Sequence, residues 1–287
     1  MKRTTAIVSL VAVLVLSGCT RGGEDTSAPQ PGPTSATEAG KPAPTDDETL
    51  VDEDSLPVGH CGVAPAPMTD QAIYQGTQDT DCDEARTALE ALARGEGDDS
   101  EHVAGHGTIV DGWECLFPMD SEVADYDITL SCDKDEQRFV VRPASLDVPA
   151  GYHVLPWEYE GTATGAAGLY FTTESRKHHC SFQEDLLGCD NHSFPEDLPP
   201  VTYQGQQQQP TAIVLTSTGG PRFEAYGDPT FTQFSDAGEW GADTAVLPYG
   251  DLLIAYGIAC TTDADREVVC TNGDHGFAIS SRDYSLS

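Results

Sequence analysis

Cysteines and histidines are concentrated in one short stretch, HHCSFQEDLLGCDNH, at residues 178–192. Cys180 and Cys189 lie there, with His178, His179 and His192 on either side. Thiolates and imidazoles are ligands that zinc prefers, so one interpretation is a metal site. The other is a disulfide that closes a β-hairpin and leaves neither sulfur free for a metal or a substrate. The cysteines in the rest of the chain decide between the two.

The N-terminus accounts for one of the nine cysteines. Two basic residues precede the apolar segment 6–16, which is shorter than the ~20 residues that span a bilayer and is typical of a secretory signal. Leu-Ser-Gly-Cys at 16–19 resembles the lipobox of bacterial lipoproteins. The resemblance implies that residues 1–18 are a signal peptide and that Cys19 carries fatty acyl chains such as palmitate. It also implies a secreted mature chain anchored to the outer face of the cell membrane.

With Cys19 acylated, an even set of cysteines is left, which is typical of a disulfide framework in an exported protein. Zinc would need thiolates kept reduced outside the cell, so the disulfide interpretation is favoured at residues 178–192. Sequential pairing is the simplest of the possible arrangements. It predicts the bonds Cys61–Cys82, Cys115–Cys132, Cys180–Cys189 and Cys260–Cys270.

The sequence predicts no catalytic residue, cofactor or metal ligand. It contains no Gly-x-Ser-x-Gly elbow for a serine hydrolase, and the disulfides leave no cysteine nucleophile. Pairs of carboxylates that could serve glycoside hydrolysis carry no weight among 48 acidic residues. An extracellular enzyme acting on wall polymers remains an alternative.

Calcium is a further hypothesis, because Asp79–Glu90 places acidic residues at positions 1, 3, 5 and 12, as an EF-hand loop does. Glu84 stands where such a loop needs glycine, however, and the residues that follow have helical periodicity. A helix start capped by Asp81 or Asp83 is therefore favoured. The acidic stretch from Asp263 to Glu267 is similarly favoured as a hairpin tip.

Three other places could contact a ligand or partner. His275 could line a ligand surface beside Phe277, although a core position is favoured for the phenylalanine and a turn for the Asn-Gly before it. His102 and His106 lie in a glycine-rich loop. The aromatic stretch 151–161, GYHVLPWEYEG, is the segment where exposed aromatics would favour partner contact.

Charge narrows the classes of partner. The chain has a formal net charge of −34 at pH 7, and signal cleavage removes two of its few basic residues. Nucleic-acid binding needs clustered Lys and Arg, so it is excluded as a function. The membrane is expected as a partner only through the lipid, and the remaining partner is an unknown protein, wall component or small molecule.

The organisation along the chain predicts an α+β protein. Residues 19–59 are rich in Pro, Ser, Thr and acid, which predicts a disordered tether. Residues 60–143 combine a helix near 83–95 with period-two strands and predict a small α+β domain stapled by two disulfides. Residues 144–164 read as a linker, and 165–287 as an all-β domain stapled by the other two.

Two segments in the C-terminal domain resemble each other. CSFQEDLLGCDNHSF and CTTDADREVVCTNGDHGF share the cysteine spacing and the Asn, His and Phe that follow, which predicts two hairpins of the same construction. Residues 165–287 as a whole resemble a domain of unknown function from actinobacterial secreted proteins and lipoproteins, through YFTTES, LPYGDLLIAYGIAC and the final HGFAISSRDY. The resemblance implies no activity. We therefore expect a non-catalytic binding or envelope-scaffold lipoprotein, or a calcium-stabilised surface module.

Overall fold

The computed structural model describes residues 57–98, 107–144, 148–163, 166–190, 192–235 and 237–287. All of these lie in one compact unit, Thr49–Ser287. The predicted signal peptide, the predicted acylation site Cys19 and almost all of the predicted tether lie outside the described residues.

The described residues are mostly β, with four disulfides, as the sequence predicts for much of the chain. The first sheet has the order β1-β2-β6-β5-β4-β3, with every pair antiparallel. Two helices, α1 and α2, belong to the same part of the chain. The bounds are β1 (His60–Val63), β2 (Gln71–Gln75), α1 (Cys82–Ala93), β3 (Gly107–Val110), β4 (Trp113–Leu116), α2 (Asp120–Tyr126), β5 (Leu130–Lys134) and β6 (Gln137–Pro143).

The second sheet has the order β15-β14-β11-β10-β9-β16, with β8 paired to β9, and a separate hairpin pairs β12 with β13. A short 3₁₀ turn, Pro156–Tyr159, precedes β8. The strands are β8 (Glu160–Ala163), β9 (Ala166–Thr172), β10 (His179–Gln183), β11 (Leu186–Asp190), β12 (Val201–Tyr203), β13 (Gln206–Gln208), β14 (Ala212–Thr216), β15 (Arg222–Glu224) and β16 (Ala245–Val246).

The third sheet has the order β21-β20-β19-β18-β17-β7. Its edge strand β7 comes from the segment that the sequence predicts to be a linker, and it pairs with β17 in parallel. The strands are β7 (Tyr152–His153), β17 (Asp251–Ala255), β18 (Ile258–Asp263), β19 (Glu267–Thr271), β20 (Gly276–Ile279) and β21 (Tyr284–Leu286).

The three sheets share one construction. Each contains a four-stranded antiparallel meander, made of β3-β4-β5-β6, β9-β10-β11-β14 or β17-β18-β19-β20. In each meander a disulfide joins residues directly opposite each other on the second and third strands: Cys115 and Cys132, Cys180 and Cys189, or Cys260 and Cys270. The sequence shows two of these repeats. The third was missed because α2 is inserted between its cysteines, which are 17 residues apart instead of 9 or 10.

Helix α1 forms for the reasons that the sequence indicates. Asp81 caps its start, because the side chain accepts hydrogen bonds from the backbone N–H groups of Asp83 and Glu84. Ala85, Ala88 and Leu89 recur at helical spacing and are buried, with Leu89 against the first sheet's core. The disulfide Cys61–Cys82 then ties the first turn of the helix to β1.

The largest core cluster draws on all three sheets. It includes Tyr74 and Val140 from the first sheet, Phe171 and Leu187 from the second, and Leu253 from the third. A smaller cluster around Trp113 and Phe139 lies between the first sheet and α1. The sheets therefore pack against one another through buried apolar side chains, while the predicted boundaries at 143 and 165 stay predictions.

Candidate functional site

The stretch at residues 178–192 is a stapled hairpin, as predicted. Cys180 and Cys189 are bonded and fully buried, so neither sulfur is a thiolate ligand. The side chain of His178 is also fully buried, and its Nε2 lies 2.7 Å from Glu267 Oε2, close but poorly directed for a hydrogen bond. Burial lowers the pKa of His178 despite the opposing effect of that carboxylate. This contact joins the second sheet to the third and serves the fold.

Glu267 is a charged partner in that contact. Burial alone would raise its pKa, but His178 and Lys177 outweigh burial and lower the pKa. Lys177 Nζ lies 3.4 Å from Glu267 Oε1. The predicted acidic hairpin tip therefore turns this carboxylate inward, away from Asp263 and Asp265.

Asp190, Thr232 and His192 form a second polar contact beside the disulfide. The Thr232 hydroxyl donates to Asp190 Oδ2 at 2.7 Å, and its oxygen lies 3.1 Å from His192 Nε2. Asp190 also accepts from the backbone N–H groups of Thr230 and Phe231. In a nucleophilic triad the base lies between the acid and the hydroxyl, whereas here the hydroxyl lies between acid and base. The arrangement braces the loop at 230–232.

The side chain of the remaining histidine of the stretch, His179, is packed against other side chains and is not exposed to a ligand. Its ring meets His192 edge to face at 5.1 Å, and burial lowers the pKa of its imidazole to about 4. A Cβ added at Gly241 would stand 2.4 Å from its Cε1, so only glycine leaves room for the ring there.

The two acidic stretches considered for calcium use their carboxylates locally. Asp81 caps α1, and Glu84 pairs with Lys134 at 2.8 Å. Asp263 accepts from the backbone N–H groups of Asp265 and Arg266 and closes the β18–β19 turn. Within the described ranges, no group of three His, Cys, Asp or Glu side chains is placed to hold a metal ion.

The other predicted contact residues are distributed as follows. His275 is exposed at a turn closed by Asn272, and Phe277 is in the core. His102 and His106 lie outside the described residues. The expectation of exposed aromatics at 151–161 was wrong: Tyr159 is 6% exposed and the stretch packs into the main core, because β7 and the 3₁₀ turn are wedged between sheets.

A cavity of about 590 Å³ lies where elements of all three sheets meet. Its volume is in the range of small-molecule sites. The first sheet supplies Tyr126 at the end of α2, the third supplies Tyr256 in the β17–β18 turn, and the second supplies the rest. The lining from the second sheet includes Glu160, Thr162, Leu169 and Glu184.

Tyr256 has an unusual backbone for its residue type. It stands first in the two-residue turn before Gly257, with φ of 53°. The corresponding turn of the first sheet has Asp111 and Gly112, which is the ordinary chemistry for positive φ. Tyrosine is disfavoured there, so the turn stores a small strain. The backbone N–H of Tyr256 donates to Asp125 O at 2.6 Å, which fixes the turn against α2.

Tyr126 and Tyr256 form an aromatic wall. Their ring centroids are 5.9 Å apart in an edge-to-face arrangement, and Trp157 lies behind Tyr126 at 6.5 Å. Burial raises the pKa of both phenols, so both carry their protons at neutral pH. Tyr126 is 7% exposed, whereas Tyr256 is half-buried and presents more of its ring.

The floor of the cavity is the hairpin of β8 and β9, in which small residues face each other. Gly161 pairs with Gly168, and Thr162 pairs with Ala167. A Cβ at Gly168 would stand 2.5 Å from the Phe182 carbonyl oxygen, so that position requires glycine. In the sequence, the run of small residues GTATGAAG indicates this hairpin. The hairpin was not identified from the sequence because the first part of the run was assigned to the end of a linker.

The cavity is negatively charged. Glu160 and Glu184 line it, and neither forms an ion pair within the part of the chain that the structure describes. Both carboxylates, together with Asp125, act on Tyr256: after burial, their charges add to the rise in its phenol pKa. Two carboxylates therefore line the cavity, and the charge of a third, Asp125, also acts on the Tyr256 phenol.

Two other surface features are weaker candidates. A cavity of about 180 Å³ between Arg266 and Tyr284 is below the usual size of ligand sites. Phe117 and Met119 are exposed in the loop before α2, where they line an open depression of about 550 Å³. Neither place is lined by two aromatic rings in contact with each other, as the main cavity is.

Comparison of the chain with family models, with curated proteins and with solved structures returned no match. Among the described residues, no helix has the length and apolar character needed to cross a bilayer.

Proposed function

We propose that this chain is a lipid-anchored, extracytoplasmic binding protein whose small-molecule ligand occupies the cavity between Tyr126 and Tyr256. The observation that carries the proposal is the cavity itself, about 590 Å³ in volume and lined by two tyrosines and two unpaired glutamates. Sites of this size with a few convergent polar groups at the meeting of structural units are the usual form of ligand pockets.

Binding is favoured over catalysis by what lines the cavity. Thr162 is the lining hydroxyl other than the two phenols, and the described lining residues include no histidine or lysine that could act as its base. The alternative, an enzyme acting on wall polymers, rests on Glu160 and Glu184, which would have to act as acid and nucleophile or base. Hydrolysis of a wall glycan that is abolished by Glu160→Gln would favour that alternative.

The anchor is part of the same proposal. Acylation of Cys19 in the Leu-Ser-Gly-Cys motif would hold the protein at the membrane, with residues 19–59 as a tether and the sheets in the surrounding water. We also propose that residues 60–143 form a separate α+β domain. Residues 165–287 are proposed to be related to the actinobacterial domain of unknown function. Cys19→Ala should move the protein from the membrane fraction to the medium.

The binding proposal is tested by blocking the cavity. Ala167 is exposed on β9 and lines the cavity, whereas its neighbour Ala166 is equally exposed and does not line it. Ala167→Trp should fill the cavity without disturbing the sheet, and Ala166→Trp is the matched control. Ligand-observed NMR with a mixed set of neutral, anionic and cationic small molecules should give hits with the full-length protein that Ala167→Trp loses and Ala166→Trp keeps. Hits that persist in Ala167→Trp, or an absence of hits, would contradict the proposal.

A further inference from the structure

We infer that the ligand of this cavity is an aliphatic polyamine, a flexible chain that carries more than one ammonium group. The inference rests on the proposed binding function and adds the chemical class of the ligand. Three observations point to it: the two unpaired carboxylates of the lining, the two tyrosines of its wall and the distribution of the charges over different elements.

The carboxylates supply the charge complementarity. Glu160 is on β8, Glu184 is in the turn between β10 and β11, and Asp125 is on α2. With 48 acidic residues against 14 Lys and Arg, only a minority of the described acidic side chains meet a cation, as Glu84 meets Lys134 and Asp133 meets Arg138. Glu160 and Glu184 have no such partner among the described residues, and they line a common cavity in which an ammonium group could contact them. Hydrogen bonds between ammonium and carboxylate are among the stronger ones in proteins.

The tyrosines add a second attraction for the same charge. The negative face of an aromatic ring attracts an ammonium ion within about 6 Å of its centroid. The phenol oxygens of Tyr126 and Tyr256 can also accept hydrogen bonds from N–H groups. An anionic ligand without an ammonium group gains from neither feature and is repelled by the glutamates.

The placement of the acids favours several charges over one. Glu160 and Glu184 line the cavity from β8 and from the β10–β11 turn, and Asp125 on α2 is next in sequence to the lining residue Tyr126, so the negative charge is distributed over three elements. A chain with spaced amines can place one at each side. The methylenes between them match Leu169 and the small residues of the β8–β9 floor.

A divalent metal fits less well than an amine. Calcium takes six to eight oxygen ligands at 2.3–2.6 Å. No set of three carboxylate or imidazole side chains is close enough together for that within the described segments. The overall net charge of −34 adds a long-range attraction for any cation, so the test must separate this field from the site.

The experiment is isothermal titration calorimetry on the full-length protein with spermidine, choline, N-acetylglucosamine and calcium chloride. Spermidine should bind with a stoichiometry of one, and more tightly than choline. Glu160→Gln/Glu184→Gln should weaken spermidine binding by at least about tenfold, because two charge-assisted contacts are lost. Glu196→Gln/Asp197→Asn removes the same charge from exposed residues outside the cavity and should change the affinity by less than about twofold.

A second variant tests the aromatic contribution. Asparagine tolerates positive φ, so Tyr256→Asn should keep the β17–β18 turn while removing the ring. We expect the thermal unfolding midpoint to stay within a few degrees and spermidine binding to fall by at least about tenfold. Tyr256→Phe keeps the ring and should retain most of the affinity.

The possible failures are distinguishable. Equal weakening in the two double variants would show attraction to net charge alone and would overturn the inference. Binding of N-acetylglucosamine, choline alone or calcium in place of spermidine would overturn the polyamine assignment but leave a ligand site if Ala167→Trp abolishes it. If no compound binds here and the mixed-ligand NMR experiment also gives no hits, both the inference and the proposed function fail.

Discussion

Asp251 is a half-buried carboxyl group that the fold holds close to other acids. It begins β17, and burial together with Glu174 and Glu158 raises its pKa to about 6. A carboxyl whose pKa is raised in the folded state binds its proton more tightly there than in the unfolded chain. Asp251 therefore favours folding in acid, and this contribution is lost as the pH rises from the unfolded pKa of 3.8 through about 6.

Replacing this carboxyl should change stability at neutral pH only. Asp251→Asn should raise the free energy of unfolding by about 1 kcal/mol at neutral pH, where solvent screening reduces the full effect of the pKa shift. It should have little effect near pH 4, where Asp251 is protonated in the folded state. Urea denaturation at both pH values measures this, with the exposed Asp228→Asn as control. A variant that is destabilised at neutral pH would contradict the assigned cause of the shift.

The recurring element is a β-hairpin closed by a disulfide between directly opposite residues. Its cysteine pairs have Cα atoms 4.0 to 4.1 Å apart in all three meanders. Cys180, Cys189, Cys260 and Cys270 could be paired from the sequence because nearly equal spacing and a shared following pattern identify the two hairpins. Cys115 and Cys132 were paired correctly by their order along the chain. The similarity of their hairpin to the other two could not be recognised, because α2 lengthens the spacing between the two cysteines.

Equal hairpins should contribute equally to stability. Closing a loop of 9 or 10 residues lowers the entropy of the unfolded chain by an amount worth about 3 kcal/mol. Cys180→Ala/Cys189→Ala and Cys260→Ala/Cys270→Ala should therefore each lower the free energy of unfolding by about that much. Chemical denaturation of the two double variants measures it. A loss well below 1 kcal/mol in either hairpin would mean that the disulfide does not constrain the unfolded chain as proposed.

At the scale of the whole molecule, the features that could not be predicted from the sequence are those that depend on contacts between distant segments. The pairings of β7 with β17 and of β16 with β9 join residues far apart in the chain, and two-residue strands have no pattern of their own. The cavity has the same origin, because its lining comes from α2, from the β8–β9 hairpin and from two turns. Local periodicity indicates which face of a helix or strand is buried, as it did for α1. It does not indicate which other helix or strand packs against that face.

The aromatic stretch at 151–161 illustrates the same limit. Tyrosine and tryptophan are enriched both in interfaces and in cores, so their presence in a proline-rich segment favoured exposure. The structure instead uses Tyr159 and Leu155 to fill the space between sheets and leaves Trp157 half-buried behind Tyr126. The negative net charge of the chain, by contrast, follows directly from its composition. That Glu160 and Glu184 line one cavity is visible only in the folded structure.

Fluorine NMR of the full-length protein labelled with fluorotyrosine tests the central claim most directly, because it reports where a ligand binds. The chain has ten tyrosines, and Tyr126→Phe and Tyr256→Phe assign the two signals of interest. On titration with spermidine, the signals of Tyr126 and Tyr256 should shift together and saturate, while those of Tyr203 on β12 and Tyr284 on β21 stay in place. Shifts that spread over all tyrosines, or signals of Tyr126 and Tyr256 that stay unmoved, would contradict the assignment of this cavity as the ligand site.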